Sequence, residues 1–176
     1  MPHEHPLAPL WRRLVALCYE SLLLCAVLMV SGGAFQLLLG GAGIGATQIA
    51  DSPVWRNVLG VYLLAVLYGY FAWCWGRGGQ TLAMKTWRLQ LRTQANQLPG
   101  ARAITVRFLL VLVAYAPPLP TYVYGKHMPN LKWLFWTSCV LAALPWLWAL
   151  VDKEKQTLFD RLAGTRVVLL PVARAD

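Results

Sequence analysis

The sequence predicts an all-α membrane protein with four transmembrane helices, both termini cytoplasmic and a small β pairing on the cytoplasmic side. Three observations carry that expectation. The 176 residues are 58% hydrophobic with a mean hydropathy of +0.50. Charged residues make up 13%, against about 25% in an ordinary soluble domain. The Lys and Arg residues fall between four long apolar runs. Such a chain is neither disordered nor suited to a water-soluble globule, and its length leaves no room for a second sizeable domain.

The elements follow in order. Residues 1–10, MPHEHPLAPL, are polar and proline-rich and read as an N-terminal tail. They lack the basic segment of a signal peptide. His3 and His5 have no further ligands beside them, so no metal is expected there. Residues 11–170 form the transmembrane domain and 171–176 a C-terminal tail. The first apolar run, Leu14 to Leu39, is long enough to cross a core of ~30 Å with tilt. Ser31-Gly32-Gly33 can kink it or admit a close neighbour helix. Gly40-Gly41-Ala42-Gly43-Ile44-Gly45 reads as a flexible turn. The second run is Val54 to Trp75. The third runs from Ala103 to near Tyr124, and Pro117, Pro118 and Pro120 predict an irregular far end. The fourth is Leu131 to Val151, with a kink expected at Pro145.

Positive charge sets the orientation. Arg12 and Arg13 precede the first run. Arg77, Lys85, Arg88, Arg92, Arg102 and Arg107 lie between or at the edges of runs two and three. Lys153, Lys155, Arg161, Arg166 and Arg174 follow run four. Those thirteen fall on one side, against Arg56, Lys126 and Lys132 on the other. The rich side is expected to be cytoplasmic. A re-entrant third run would leave three spans and turn the basic C-terminal stretch outward, which the charge opposes. The net charge of +9 then suits anionic lipid headgroups and not nucleic acid. Trp11, Trp73, Trp75, Trp146 and Trp148 fall at cytoplasmic ends, and Trp55, Trp133 and Trp136 at outer ends, as an aromatic belt requires; helix packing is the plainer alternative. Cys18, Cys25, Cys74 and Cys139 lie in apolar runs without a CxxC and read as reduced, buried packing residues. Trp87 to Arg92 alternates apolar and polar, and Arg166 to Leu170 is β-branched, so the two can pair beneath the bundle.

Glu20 is the most informative position. It lies about 10 Å deeper along the first helix than Arg13, and a charged carboxylate near a helix centre costs ~2.5–3.5 kcal/mol on insertion scales. Helical side chains tilt toward the N-terminus, which turns Arg13 away from it. Arg107 is the expected partner, either as a structural ion pair or beside a ligand or proton site. Thr157 and Asp160 are spaced as a capping box, and Gly164 suits the position after a helix. Asp160 is alternatively an anion aimed at Arg12 or Arg13, and Asp152 is a second such acid. Gly76-Arg77-Gly78-Gly79-Gln80-Thr81 lacks the GK[ST] of a phosphate loop and reads as a tight turn using positive φ. No Ser/His/Asp set, HExxH or metal cluster is visible, so neither an enzyme nor a cofactor is expected.

Together these residues resemble the RDD family of bacterial membrane proteins. Trp11-Arg12-Arg13-Leu14-Val15-Ala16 through Glu20 looks like the family's opening segment with its acidic residue seven positions on. Gly79-Gln80-Thr81-Leu82-Ala83-Met84-Lys85 is similar to the family's Gly-Gln-Thr-Leu-Gly-Lys. Arg107 matches its helix-initial arginine. Thr157 to Thr165, including Asp160, Arg161, Gly164 and Thr165, resembles its closing Thr-Leu-His-Asp-Arg-Leu-Ala-Gly-Thr. Glu20 stands in place of a family aspartate, Ala83 of a glycine and Phe159 of the histidine. The resemblance implies a multi-pass protein of the bacterial inner membrane that transports ions or small ligands, with some members similar to cation/proton antiporters.

Two functions are therefore expected to compete. In the first, Glu20 is a protonatable group in cation/proton exchange. Arg13, Arg107 and Asp160 govern its charge and close the cytoplasmic side, and a homo-oligomer supplies the room four helices lack. In the second, the same residues hold the helices of a non-transporting accessory protein in register.

Overall fold

The computed structural model describes residues 6–171, and the readings placed on His3, His5 and Arg174 lie outside them. Its elements are α1 (Leu10–Gly41), α2 (Ala46–Asp51), α3 (Pro53–Gly78), α4 (Leu82–Thr86), β1 (Leu89–Thr93), α5 (Ala101–Tyr115), α6 (Pro118–His127), α7 (Lys132–Val151), α8 (Leu158–Leu162) and β2 (Thr165–Leu169). A 3₁₀ turn at Pro129–Leu131 joins α6 to α7. Four stretches are long and apolar enough to cross a membrane: Leu10–Gly41, Pro53–Gly78, Ala101–His127 and Lys132–Val151.

The apolar runs set the helices, and local chemistry sets their ends. α1 is 32 residues long, a rise of about 48 Å, which exceeds a ~30 Å core and demands tilt or projection beyond it. It runs unbroken through Ser31-Gly32-Gly33, and no neighbour comes within 4 Å of a Cβ built at either glycine. Ser52 and Pro53 start α3, where a proline loses no helical hydrogen bond. After α5 the expected irregular segment is instead a further helix. Pro118 opens α6, Thr121 Oγ1 donates back to the carbonyls of Pro117 and Pro118, and Thr121 and Ser138 of α7 join hydroxyls at 3.0 Å. These bonds tie the first turn of α6 to the preceding carbonyls and to α7. α7 continues helical through buried Pro145.

The bundle is a row: α1 packs on α3, α3 on α5 and α5 on α7, while α4 lies against α1. Apolar residues point outward along the spans, including Leu22, Met29, Leu37 and Val151. That is the arrangement for a chain whose solvent is lipid. It also corrects the reading of the cysteines. Cys18 and Cys25 are exposed, Cys74 and Cys139 only partly covered, and all four are free.

The packed core lies at one end. There β1 and β2 pair antiparallel, Leu89 opposite Leu169 through Thr93 opposite Thr165. Leu89, Leu91 and Val167 cluster with Ala16, Phe71, Trp75, Ile104 and Phe108 of the spans. The segment before α1 docks on the other edge of β2: Leu7 bridges Val168, and Ala8 N–H donates to Val167 O at 3.0 Å. Ala8 is therefore part of the packed core, and Pro6 and Leu7 are held on the edge of β2. Gly79 turns the chain from α3 toward the sheet at φ +67°, and a Cβ there would meet Leu91 O at 2.5 Å. Both described ends of the chain lie at this end of the bundle. Trp11, Trp73 and Trp148 are exposed along it, whereas Trp75 is buried in the core and Trp146 donates to Tyr115 Oη at 2.6 Å. Packing thus accounts for Trp75 and Trp146, while Trp11, Trp73 and Trp148 face outward.

Candidate functional site

Two polar clusters lie inside the sheet end. The first centres on Asp160. Thr157 caps α8, accepting from Asp160 N–H, and the Asp160 carboxylate accepts from Thr157 N–H at 3.2 Å and its hydroxyl at 2.8 Å. This capping box fixes the carboxylate where two arginines converge. Arg13, one turn into α1, reaches Oδ2 at 3.1 Å, and Arg107 of α5 reaches Oδ1 at 2.5 Å. Asp160 is 0% exposed and Arg13 6%. Arg13 Nη2 donates to Val167 O at 3.1 Å and Arg107 Nη1 to Thr165 Oγ1 at 2.9 Å, while Arg13 Nε is buried without an acceptor among the described residues. Arg107 also lies over the Trp75 ring at 5.6 Å. One buried acid holding buried Arg13 and part-buried Arg107 is a clamp that ties α1, α5, α8 and β2 together.

The second cluster centres on Glu20. The residue is 8% exposed, turned from lipid toward α3 and α4. Tyr70 Oη donates to Oε1 at 2.7 Å, and Thr81 Oγ1 donates to Oε2. Thr81 at the same time caps α4, accepting from Met84 N–H at 3.2 Å. Among the described residues Glu20 makes no ion pair. The expected Glu20–Arg107 pair is therefore wrong. Both arginines near Glu20 are taken by Asp160, which the α8 capping box holds at the head of α1 and α5, while Glu20 lies seven residues further along its helix.

The other sequence-derived residues take supporting places. Arg12 stacks on Trp11 at 5.1 Å and does not reach Asp160. Asp152 pairs with Arg161 at 2.6 Å, closing the turn from α7 to α8. The Gln156 backbone N–H holds the Asp152 carboxyl below the usual carboxylate range against an opposing desolvation, with Arg161 adding to the lowering. Gly164 follows α8 at φ +63°. Gln80 donates to Leu89 O at 2.7 Å, and Lys85 is exposed on α4. Sequence reasoning missed Tyr70. Its signal was a hydroxyl within an apolar run, and nothing in the sequence distinguishes it from Tyr62 or Tyr68. Thr81 was seen only as part of a turn.

Two open recesses lie at the far end of the bundle. One, of about 540 Å³, is lined by Ile44, Gln48, Asp51, Ser52 and Trp55. The other, of about 370 Å³, is lined by Tyr122, Gly125, Lys126, Lys132, Phe135 and Trp136. Neither includes Glu20 or Asp160.

The model of the RDD family matches residues 7–164. Neither the curated proteins nor the solved structures yield a match.

Proposed function

We propose that this chain, which belongs to the RDD family, is an inner-membrane protein of bacteria that exchanges a small cation for protons, with Glu20 carrying the exchanged charge. The observation behind this reading is the environment of Glu20: buried, held by two hydroxyls, and without a fixed cation among the described residues. An acid in such a place is neutral with a proton or needs a counter-ion. With no guanidinium supplied by the fold, both remain mobile species. Tyr70 and Thr81 offer oxygens that suit a hard cation as well as a carboxylate.

Asp160 is a poor exchanger by the same logic, because two guanidinium groups hold it. Its role is to fix the sheet against the spans. The sheet end faces the cytoplasm by the distribution of positive charge. A second copy completes the path, and the reading assigns no enzymatic activity.

The accessory-protein reading draws support from one observation: the Asp160 clamp is buried and fully explicable as a structural tie. Proteoliposomes separate the two. A pH-sensitive dye inside vesicles reports the response to a Na⁺ or K⁺ gradient. Wild type is expected to respond, Glu20→Gln to fall to the level of empty vesicles, and Glu20→Asp to retain activity. Wild-type vesicles that behave like empty ones, with Glu20→Gln lowering only thermal stability, would leave the accessory reading in place.

A further inference from the structure

Arg92 of β1 and Arg166 of β2 stand directly opposite each other in the antiparallel register. They share the sheet face that lies opposite Leu91 and Val167. Like charges at facing positions repel, and neither arginine has an acidic partner among the described residues. Arg92 gives Nε to the Gln90 side-chain carbonyl and Nη1 to Asn96 O, each at 2.7 Å. Both acceptors are neutral. Arg166 Nε is shut off from solvent without an acceptor among the described residues, as are Arg12 Nε and Arg13 Nε. Two facing cations with no acid beside them leave positive charge for an anion to meet.

Their position says which anion. Val167, next to Arg166, accepts from Ala8 N–H, and α1 begins two residues later at Leu10. The arginine pair therefore lies at the level where the first span leaves the sheet. Trp11 and Trp73, 52% and 63% exposed, mark the same end, each with an arginine over its ring. Exposed tryptophans of this kind occupy the headgroup layer.

We propose that Arg92 and Arg166 bind the phosphodiester of an anionic lipid headgroup. Guanidinium forks match phosphate oxygens two at a time. A phosphate bracketed by the outer nitrogens of the pair removes the cross-strand repulsion. The site shares no residue with the Glu20 cluster and stands whether or not transport occurs.

The test uses the full chain, purified in neutral detergent and phosphate-free buffer. Native mass spectrometry and thermal melting follow additions of phosphatidylglycerol, phosphatidylcholine or inorganic phosphate. Phosphatidylglycerol is expected to bind and raise Tm, and phosphatidylcholine to do neither. Arg92→Gln and Arg166→Gln each weaken phosphatidylglycerol binding about tenfold, while Arg102→Gln, an exposed arginine elsewhere, leaves it unchanged. Without lipid, Arg166→Gln melts no lower than wild type, because a repulsion has been removed. If Arg166→Gln fails to fold, Arg92→Gln decides by the same readout. An equal response to inorganic phosphate overturns the lipid source. Unchanged affinity in the substituted proteins, or an equal loss in Arg102→Gln, overturns the site.

Discussion

Replacing Asp160 with Asn is the sharpest perturbation of the clamp. Asp160→Asn keeps the shape and leaves a side-chain oxygen that can still accept from Thr157. It removes the one negative charge facing Arg13 and Arg107, which contact opposite oxygens at 3.1 and 2.5 Å. Asp160 is 0% exposed and Arg13 6%, so water cannot replace the lost counter-charge at Arg13. Arg107 is somewhat more open, its side chain 13% exposed. Breaking a buried pair by removing one partner costs about 3–5 kcal/mol. For a chain of this size 1 kcal/mol moves Tm by roughly 2–4 °C, which sets the expected drop at roughly 6–20 °C. The assay is thermal unfolding in detergent, followed by fluorescence-detected size exclusion. The reasoning makes a second demand. Arg13→Met/Asp160→Asn should be destabilised by less than the two single changes together, since the orphaned cation is gone. An Asp160→Asn protein that melts with wild type, or strict additivity in the double, would refute the clamp.

Three further outcomes are expected. Tyr70→Phe removes one of two hydroxyls from Glu20 and should lower stability by about 1 kcal/mol, with the flux assay showing a changed pH profile; unchanged profile and Tm would remove Tyr70 from the site. Gly79→Ala adds strain at positive φ and a Cβ 2.5 Å from Leu91 O, so it should destabilise well beyond the roughly 1 kcal/mol expected for Gly164→Ala, whose Cβ meets nothing within 4 Å; equal melting of the two would contradict the close approach. Asp152 titrates lower folded than unfolded, so its contribution is present above the unfolded value and is lost as pH falls through the folded one. The acid limb of a melting profile should therefore flatten in Asp152→Asn, and an identical limb would dismiss the Asp152 contribution.

Much of this fold is written in local patterns. Hydropathy marks four spans because lipid tolerates little else, and the alternation at Leu89–Thr93 and the β-branched Thr165–Leu169 announce the strand pair. Thr157 and Asp160 are three residues apart, so their box is legible, as are the positive φ values at Gly79 and Gly164. What was not legible depends on which distant groups meet. The burial penalty of Glu20 says that it must be turned inward, and the structure agrees. The penalty does not say what receives it. Two acids compete for two arginines, and the winner is decided by a five-residue helix, α8, that carries Asp160 to the heads of α1 and α5. The docking of Leu7 and Ala8 on β2 was hidden for a different reason: a short proline-rich segment has no periodicity to read. The helix after Pro117 was hidden because prolines signal a break, and only the bonds made by Thr121 show that the chain recovers.

Infrared difference spectroscopy on the reconstituted protein tests the assignment of Glu20 most directly. Adding the transported cation should abolish a protonated-carboxyl band, and that change should be absent in Glu20→Gln and preserved in Asp160→Asn. A spectrum with no carboxyl change on cation addition, or one that survives in Glu20→Gln, would contradict a mobile charge at Glu20.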